Sequence, residues 1–247
     1  MYQPRFYRNW VKNQDLINFN VIVEESDCYF SALSNLQSKA RKSIIKYRAI
    51  LKKYIATHPE FLTTLEPFKY ELDAPLIVKA MSDAGGQASV GPMAAVAGAI
   101  AHFAGEELTR YSAELIIENG GDIYIRSQKA RLLGIFAGNS PLSGKIAVEI
   151  NPLQTPMGIS TSSGTVGHSL SFGKADAVVV LADTAILSDA VATCIGNLVQ
   201  TVEDISACLE RSQRIKGVRG TLIIKDDKIG LLGDIQIRAT NFSLDGF

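Results

Sequence analysis

The sequence predicts an α+β fold, a mainly antiparallel sheet with several long helices, in a single domain spanning 1–247. Three observations carry that expectation. Short apolar strands come in pairs around tight-turn residues, as at Asn119-Gly120-Gly121-Asp122 and Asp226-Asp227, and tight turns join antiparallel neighbours. Longer segments repeat apolar residues at three- and four-residue steps, the mark of helices. No strand–helix–strand alternation carries Gly-x-Gly-x-x-Gly, which disfavours a doubly wound dinucleotide fold.

The elements follow in order. Phe19–Glu24 and Cys28–Leu33 read as strands around a Glu25-Ser26-Asp27 turn. Leu36, Ala40, Ile44, Tyr47, Leu51, Tyr54 and Ile55 mark a helix from Leu36 to Thr57. It ends at His58-Pro59, because the residue before proline resists the helical conformation. A short helix over Glu60–Leu65 and a second over Pro75–Ala84 lead into a glycine-rich loop, Gly85–Pro92. Pro92 suits a helix start, and Met93–Leu108 is a helix of very small side chains. It reads as a buried central helix, packed inside the chain or against a second copy, which leaves a homodimer open. Strands follow at Glu114–Glu118, Ile123–Arg126, Leu132–Ala137, Lys145–Ile150 and Ala177–Ala182. Thr184–Thr201 and Glu203–Ile215 read as helices, and Gly220–Lys225 with Lys228–Leu232 as a closing hairpin.

Lys and Arg number 25 and Asp and Glu 25, so the net charge is zero. A nucleic-acid binder working through bulk charge needs a basic surplus, so that class is disfavoured. The first long helix is locally basic, with Lys39, Arg41, Lys42, Lys46, Arg48, Lys52 and Lys53 and no acid among them. Such a run reads first as a solvated face answered by acids elsewhere, and second as an anion-facing surface. Cys28, Cys194 and Cys208 lack a Cys-x-x-Cys spacing and read as reduced thiols. The N-terminal stretch lacks the apolar core of a signal peptide, and no apolar run reaches the roughly 20 residues of a membrane span. A cytoplasmic protein with no membrane partner is expected.

Three places concentrate the chemistry. Asn119-Gly120-Gly121-Asp122 is a turn whose glycines supply positive φ and let a ligand reach bare backbone N–H groups. Read blandly, it is a hairpin turn. Gly158–Ser169 brings hydroxyls at Ser160, Thr161, Ser162, Ser163 and Thr165 together with Gly164, Gly167 and His168. A small-residue loop of this kind suits phosphate oxygens, although it lacks the lysine of a Walker loop; its bland reading is a polar loop. His168 is the better candidate of the three histidines for proton transfer. His58 sits at a helix end and His102 inside a helix. Asp189 and Thr193 stand four apart on one helix, so they face the same way. A carboxylate and a hydroxyl there offer hard oxygen ligands of the kind Mg²⁺ prefers; alone, such a pair is also a common solvated one.

These places come in an order that resembles the ApbE-like superfamily, whose characterised members are FAD:protein FMN transferases; a shorter prokaryotic branch is most similar. The stretches that carry the resemblance are VGPMAAVAGAIA (90–101), ENGGDI (118–123), GISTSSGTVGHSLSFGKADAVVV (158–180) and SDAVATCIGN (188–197). It implies a flavin site lined by Asn119, Gly120, Gly121 and Asp122. Its Thr-Ser-Gly loop maps onto Ser162, Ser163 and Gly164, with Thr161 alongside. Magnesium ligation falls to Asp189 and Thr193, with a main-chain oxygen near Ala94. It further implies FAD or a related diphosphate nucleotide as ligand, a Ser or Thr hydroxyl of a protein acceptor, and proton removal by His168. One departure is plain: the transferases read His-x-x-Asp-Pro where this chain reads His168-Ser169-Leu170-Ser171-Phe172. The chain also carries Ala-Ala or Ala-Gly where the transferases have Lys-Gly in the small-residue helix. A flavin- or nucleotide-binding protein without transferase activity is therefore the alternative expectation.

Overall fold

The run Ala177–Ala182, Ala-Val-Val-Val-Leu-Ala, is buried at every position. A strand apolar on both faces must be covered on both. The computed structural model, which describes residues 15–165 and 171–240, shows what covers it. The chain order is β1 (Ile17–Val23), β2 (Ser26–Ala32), α1 (Gln37–Thr57), α2 (Glu60–Thr63), α3 (Leu76–Ala88), a 3₁₀ turn (Pro92–Ala95) and α4 (Val96–Leu108). Then come β3 (Leu115–Asn119), β4 (Asp122–Arg126), β5 (Arg131–Gly134), β6 (Ile146–Ile150), β7 (Met157–Ser162) and β8 (Ala177–Ala182). The order ends with α5 (Ala185–Leu198), α6 (Asp204–Gln213), β9 (Val218–Lys225), β10 (Lys228–Gly233) and β11 (Gln236–Ala239).

Eight strands form one antiparallel sheet in the order β1-β2-β3-β4-β7-β8-β9-β10, and β11-β6-β5 form a second. The period-two alternation of strands sorts neighbouring residues between two cores. Ile117, Tyr124, Val178, Val180 and Ile223 face the helices. Ile116, Ile125, Val179, Leu181, Leu222 and Ile224 face the small sheet, where Leu133, Val148 and Ile150 meet them. The expected mixture of helices and antiparallel strands is the one found.

The small side chains of α4 are covered within the chain by α1, α5 and the sheet, so no second copy is needed to bury them. No single helix among the described residues is long and apolar enough to cross a membrane; the pair α3 and Pro92–Leu108 qualifies only jointly, bent by 105°. Three of the seven bases on α1 are answered by acids. Arg48 pairs with Glu24 and Glu25, Lys52 with Glu24, and Lys46 with Glu107 at 3.1 Å.

Several expectations are corrected. The first hairpin turns at Glu24-Glu25, with Val23 opposite Ser26. The expected loop at Gly85–Pro92 is helical as far as Ala88. Ser89 ends that helix in the left-handed conformation, and the Val90 N–H donates to Gly85 O at 2.9 Å. A side chain at Gly85 would meet Val90 O at 2.8 Å, so the glycine serves this close chain reversal and not a flexible loop. The helix expected from Met93 begins at Val96, after the 3₁₀ turn. Helix α5 ends at Leu198, short of Thr201. The first half of the expected hydroxyl loop is the central strand β7.

Candidate functional site

The site forms where α4 and α5 begin, above the β3–β4 turn. Gly120 and Gly121 make that turn with φ of 73° and 107°. Two successive positive values suit the right-handed twist of a hairpin, and glycine reaches them without strain. Asn119 lies opposite Asp122 in the ladder. The Asn119 amide donates to Ala97 O at 3.1 Å, tying the turn to the first turn of α4. Gly121 N–H donates to Glu118 Oε1 at 2.9 Å, and Gly121 O accepts from Thr161 N–H at 3.2 Å. The turn is thus held from α4 on one side and β7 on the other.

Helix α5 is brought hard against α4. A side chain at Gly98 would lie 2.1 Å from Ala185 O and 2.8 Å from Asp189 Cβ, and one at Gly158 would lie 2.2 Å from Ala185 N. This approach puts the Asp189 carboxylate on the helix N-terminus, where the first N–H groups have no helical partner. Gly98 N–H donates to Asp189 Oδ2 at 2.8 Å, and Ala97 N–H also points to that carboxyl.

Asp122, the first residue of β4, stands beside it, and the two carboxyl groups share a hydrogen bond. Burial pushes the Asp189 carboxyl well above the usual carboxylate range, the neighbouring negative charge of Asp122 pushes it further, and the backbone N–H groups offset only part. Two close carboxyls disfavour ionising together, which favours a bound proton on Asp189. A divalent cation can take the place of that proton.

The remaining expected residues fall around this pair. Asp122 lies opposite Ser160 in the sheet, and buried Ser160 Oγ and Ser188 Oγ are 2.7 Å apart, fixing β7 to α5 one residue before Asp189. Thr193 is half-buried one turn beyond Asp189. Gly196, a further turn along, abuts Ser162: a side chain there would meet Ser162 Oγ at 3.0 Å. Thr161 and Ser162 close β7 half-buried, and Gly164 is exposed. The Ser163 hydroxyl accepts from Thr165 N–H at 3.1 Å, which turns it onto its own loop. His168 lies outside the described residues.

Sequence reasoning placed Asp122 in the flavin-facing turn and missed it as the partner of Asp189. It also missed the α4 N–H groups as the anchor of that pair. The one available signal was an acid immediately after Gly-Gly, which starts a strand with its side chain toward the helices.

Among the described residues no three His, Cys, Asp or Glu gather as a metal cluster. The donor set on offer is two carboxylates and a nearby alcohol. It fits Mg²⁺, which commonly takes one or two carboxylates and completes its shell with water and substrate phosphates.

Solved structures share this architecture. The flavin transferase ApbE from Vibrio cholerae superposes with a TM-score of 0.59 at 12% identity, covering 88% of this chain and 96% of that one. The apo form of the Pseudomonas stutzeri flavinyl transferase ApbE gives 0.57 at 10% identity, covering 88% and 94%. Identities this low establish the fold alone. Among sequences, a UPF0280 protein from Methanocaldococcus jannaschii is 40% identical over 92% of each chain. One from Methanococcus aeolicus is 45% identical over 79% of this chain and 81% of its own. The family described as AbpE bacteria matches residues 8–220, and with relatives this similar the chain belongs to that ApbE-like family.

Proposed function

We propose that the protein is a Mg²⁺-dependent flavin-transferase-like enzyme that acts on FAD or a related diphosphate nucleotide. The observation that carries this reading is the Asp122–Asp189 carboxyl pair held on the N-terminus of α4. It is a hard-oxygen site where a divalent cation would relieve the repulsion between two close carboxyls, set beside a glycine turn and a hydroxyl-bearing strand end. Bound there with Thr193 as a further oxygen donor, Mg²⁺ would supply charge neutralisation at a diphosphate.

The chain's own residues do the rest. The Asp122–Asp189 pair gives up its bound proton on loading. Gly120 and Gly121 present backbone to the ligand, and Thr161, Ser162, Ser163 and Gly164 offer small donors to flavin or phosphate oxygens. Asn119 fixes the turn to α4, so those groups are positioned before the ligand arrives. His168 takes the proton from an attacking Ser or Thr hydroxyl of a protein acceptor. The acceptor oxygen bonds to the FMN phosphorus as the bond to AMP breaks, and AMP leaves.

The test is AMP release when the purified protein is mixed with FAD, Mg²⁺ and a flavin-accepting protein. Release that is lost in Asp189→Asn supports the reading, and no release with any divalent cation or acceptor overturns it. A second reading follows from the sequence His168-Ser169-Leu170-Ser171-Phe172, which lacks an Asp-Pro after the histidine. It is a flavin-binding protein without transfer, and it predicts Mg²⁺-dependent FAD binding with no AMP formed.

A further inference from the structure

Where α3 and α6 end, Gln87, Ala88, Arg211, Arg214, Ile215 and Lys216 line a recess of about 320 Å³. We propose that it binds the phosphate group of a small phosphomonoester. The assignment rests on charge and shape, and it does not depend on the reading of function above.

Charge comes first. On α1, Lys46, Arg48 and Lys52 each meet an acid within 3.1 Å, and no base of this recess has so close a partner among the described residues. Among the described residues neither Arg211 nor Lys216 has a carboxylate partner, and Arg214 has only Glu210, 3.9 Å away with both side chains mainly in solvent. Basic residues at helix ends also offset the helix dipole, and that role must be subtracted. Each C-terminus is worth about half a negative charge, so α3 and α6 together cancel one of the three cations. About two positive charges remain when the solvated Glu210 contact is discounted, and one remains if it is counted in full.

The buried Cys194 thiol of α5 adds no negative charge near Arg211, because burial pushes it up and keeps it a neutral thiol. Arg211 and Arg214 provide planar forks that match phosphate geometry, and Lys216 provides a point charge. Ala88 and Ile215 give the recess an apolar wall, and its volume is at the lower end of small-molecule pockets, roughly 300–1,000 Å³. A phosphate carrying a small organic group matches both walls.

The recess is separate from the carboxyl pair. Cys194 lies five residues beyond Asp189, about 140° around α5 at 3.6 residues per turn. Occupancy should therefore be independent of Mg²⁺ and of Asp189.

The experiment titrates the full chain by calorimetry with inorganic phosphate and, separately, with a nucleoside 5′-monophosphate, at constant ionic strength. Wild type, Arg211→Gln/Lys216→Gln and Asp189→Asn are compared. Arg211, Arg214 and Lys216 are exposed, so the core is not disturbed. A thermal melt verifies folding, and Arg214→Gln/Lys216→Gln serves if the first double variant fails it. Each charge-assisted contact is worth about 1.5–3 kcal/mol, or tenfold or more in Kd. The expected result is saturable binding without Mg²⁺, weakened at least about tenfold in the double variant and unchanged in Asp189→Asn. Equal binding of both anions identifies phosphate itself as sufficient, and tighter nucleotide binding identifies the ester group as part of the ligand. No saturable binding of either at millimolar concentration overturns the proposal. So does equal binding by the double variant, or a loss in Asp189→Asn that reassigns the anion to the carboxyl site.

Discussion

Replacing Asp189 with Asn separates the two roles that the carboxyl plays. In the metal-free protein the Asp189 carboxyl is pushed toward its neutral form by burial and by Asp122, while Gly98 N–H donates to one of its oxygens at 2.8 Å. Asn keeps an oxygen for Gly98 and turns an N–H₂ toward Asp122, so the metal-free stability should change by less than about 1 kcal/mol. Asp189→Ala removes the acceptor and strands a buried N–H group, at a cost of about 1–3 kcal/mol. The cation contribution behaves differently. Mg²⁺ at a hundred times its Kd stabilises the wild type by about 2.7 kcal/mol. For a chain of this size each kcal/mol moves Tm by about 2–4 °C, so the shift is roughly 5–11 °C. Both variants should lose it. Thermal melts with and without MgCl₂, at matched ionic strength, read all three quantities. A Mg²⁺ shift in Asp189→Asn equal to that of the wild type would refute the argument, and so would its absence in the wild type.

Other outcomes follow from the same geometry. Gly98→Ala puts a methyl 2.1 Å from Ala185 O and should destabilise by about 3 kcal/mol or more; urea denaturation measures it, and a neutral result would contradict the close α4–α5 contact. Arg131 and Glu114 form a buried ion pair at 2.8 Å with side chains 3% and 5% exposed. Arg131→Met leaves Glu114 buried without its counter-charge and should cost about 3–5 kcal/mol, read by the same urea assay; a cost below 1 kcal/mol would count against it. Burial holds the His102 imidazole below its usual range, and its Nδ1 has no hydrogen-bond partner. The unfolded chain therefore binds the proton more readily, and stability is lost as pH falls through about 6.5, by at most about 1.4 kcal/mol per pH unit. His102→Gln should flatten that decline in urea melts between pH 7.5 and 5.5, and parallel curves would exclude the effect.

Local features of the site were legible in the sequence because local rules dictate them. Asn-Gly-Gly-Asp needs positive φ whatever surrounds it, and Asp189 and Thr193 share a helix face by spacing alone. Strand β7 was hidden for a physical reason. Gly158 lies under the start of α5 and Ser160 bonds Ser188, so packing demands small residues there and the β-branched pattern of a strand is diluted. The glycines of α3 misled in the same way, since they answer a close chain reversal and not a loop. The carboxyl pair was hidden because Asp122 and Asp189 meet only after β4 pairs with β7, β7 with β8, and α5 folds back over both. No spacing within one element encodes that meeting.

Anomalous diffraction from crystals grown with FAD and Mn²⁺ as a stand-in for Mg²⁺ would locate the cation directly. The account predicts one strong peak in coordination contact with carboxylate oxygens of both Asp122 and Asp189. A peak elsewhere, with these two side chains still hydrogen-bonded to each other, would contradict it.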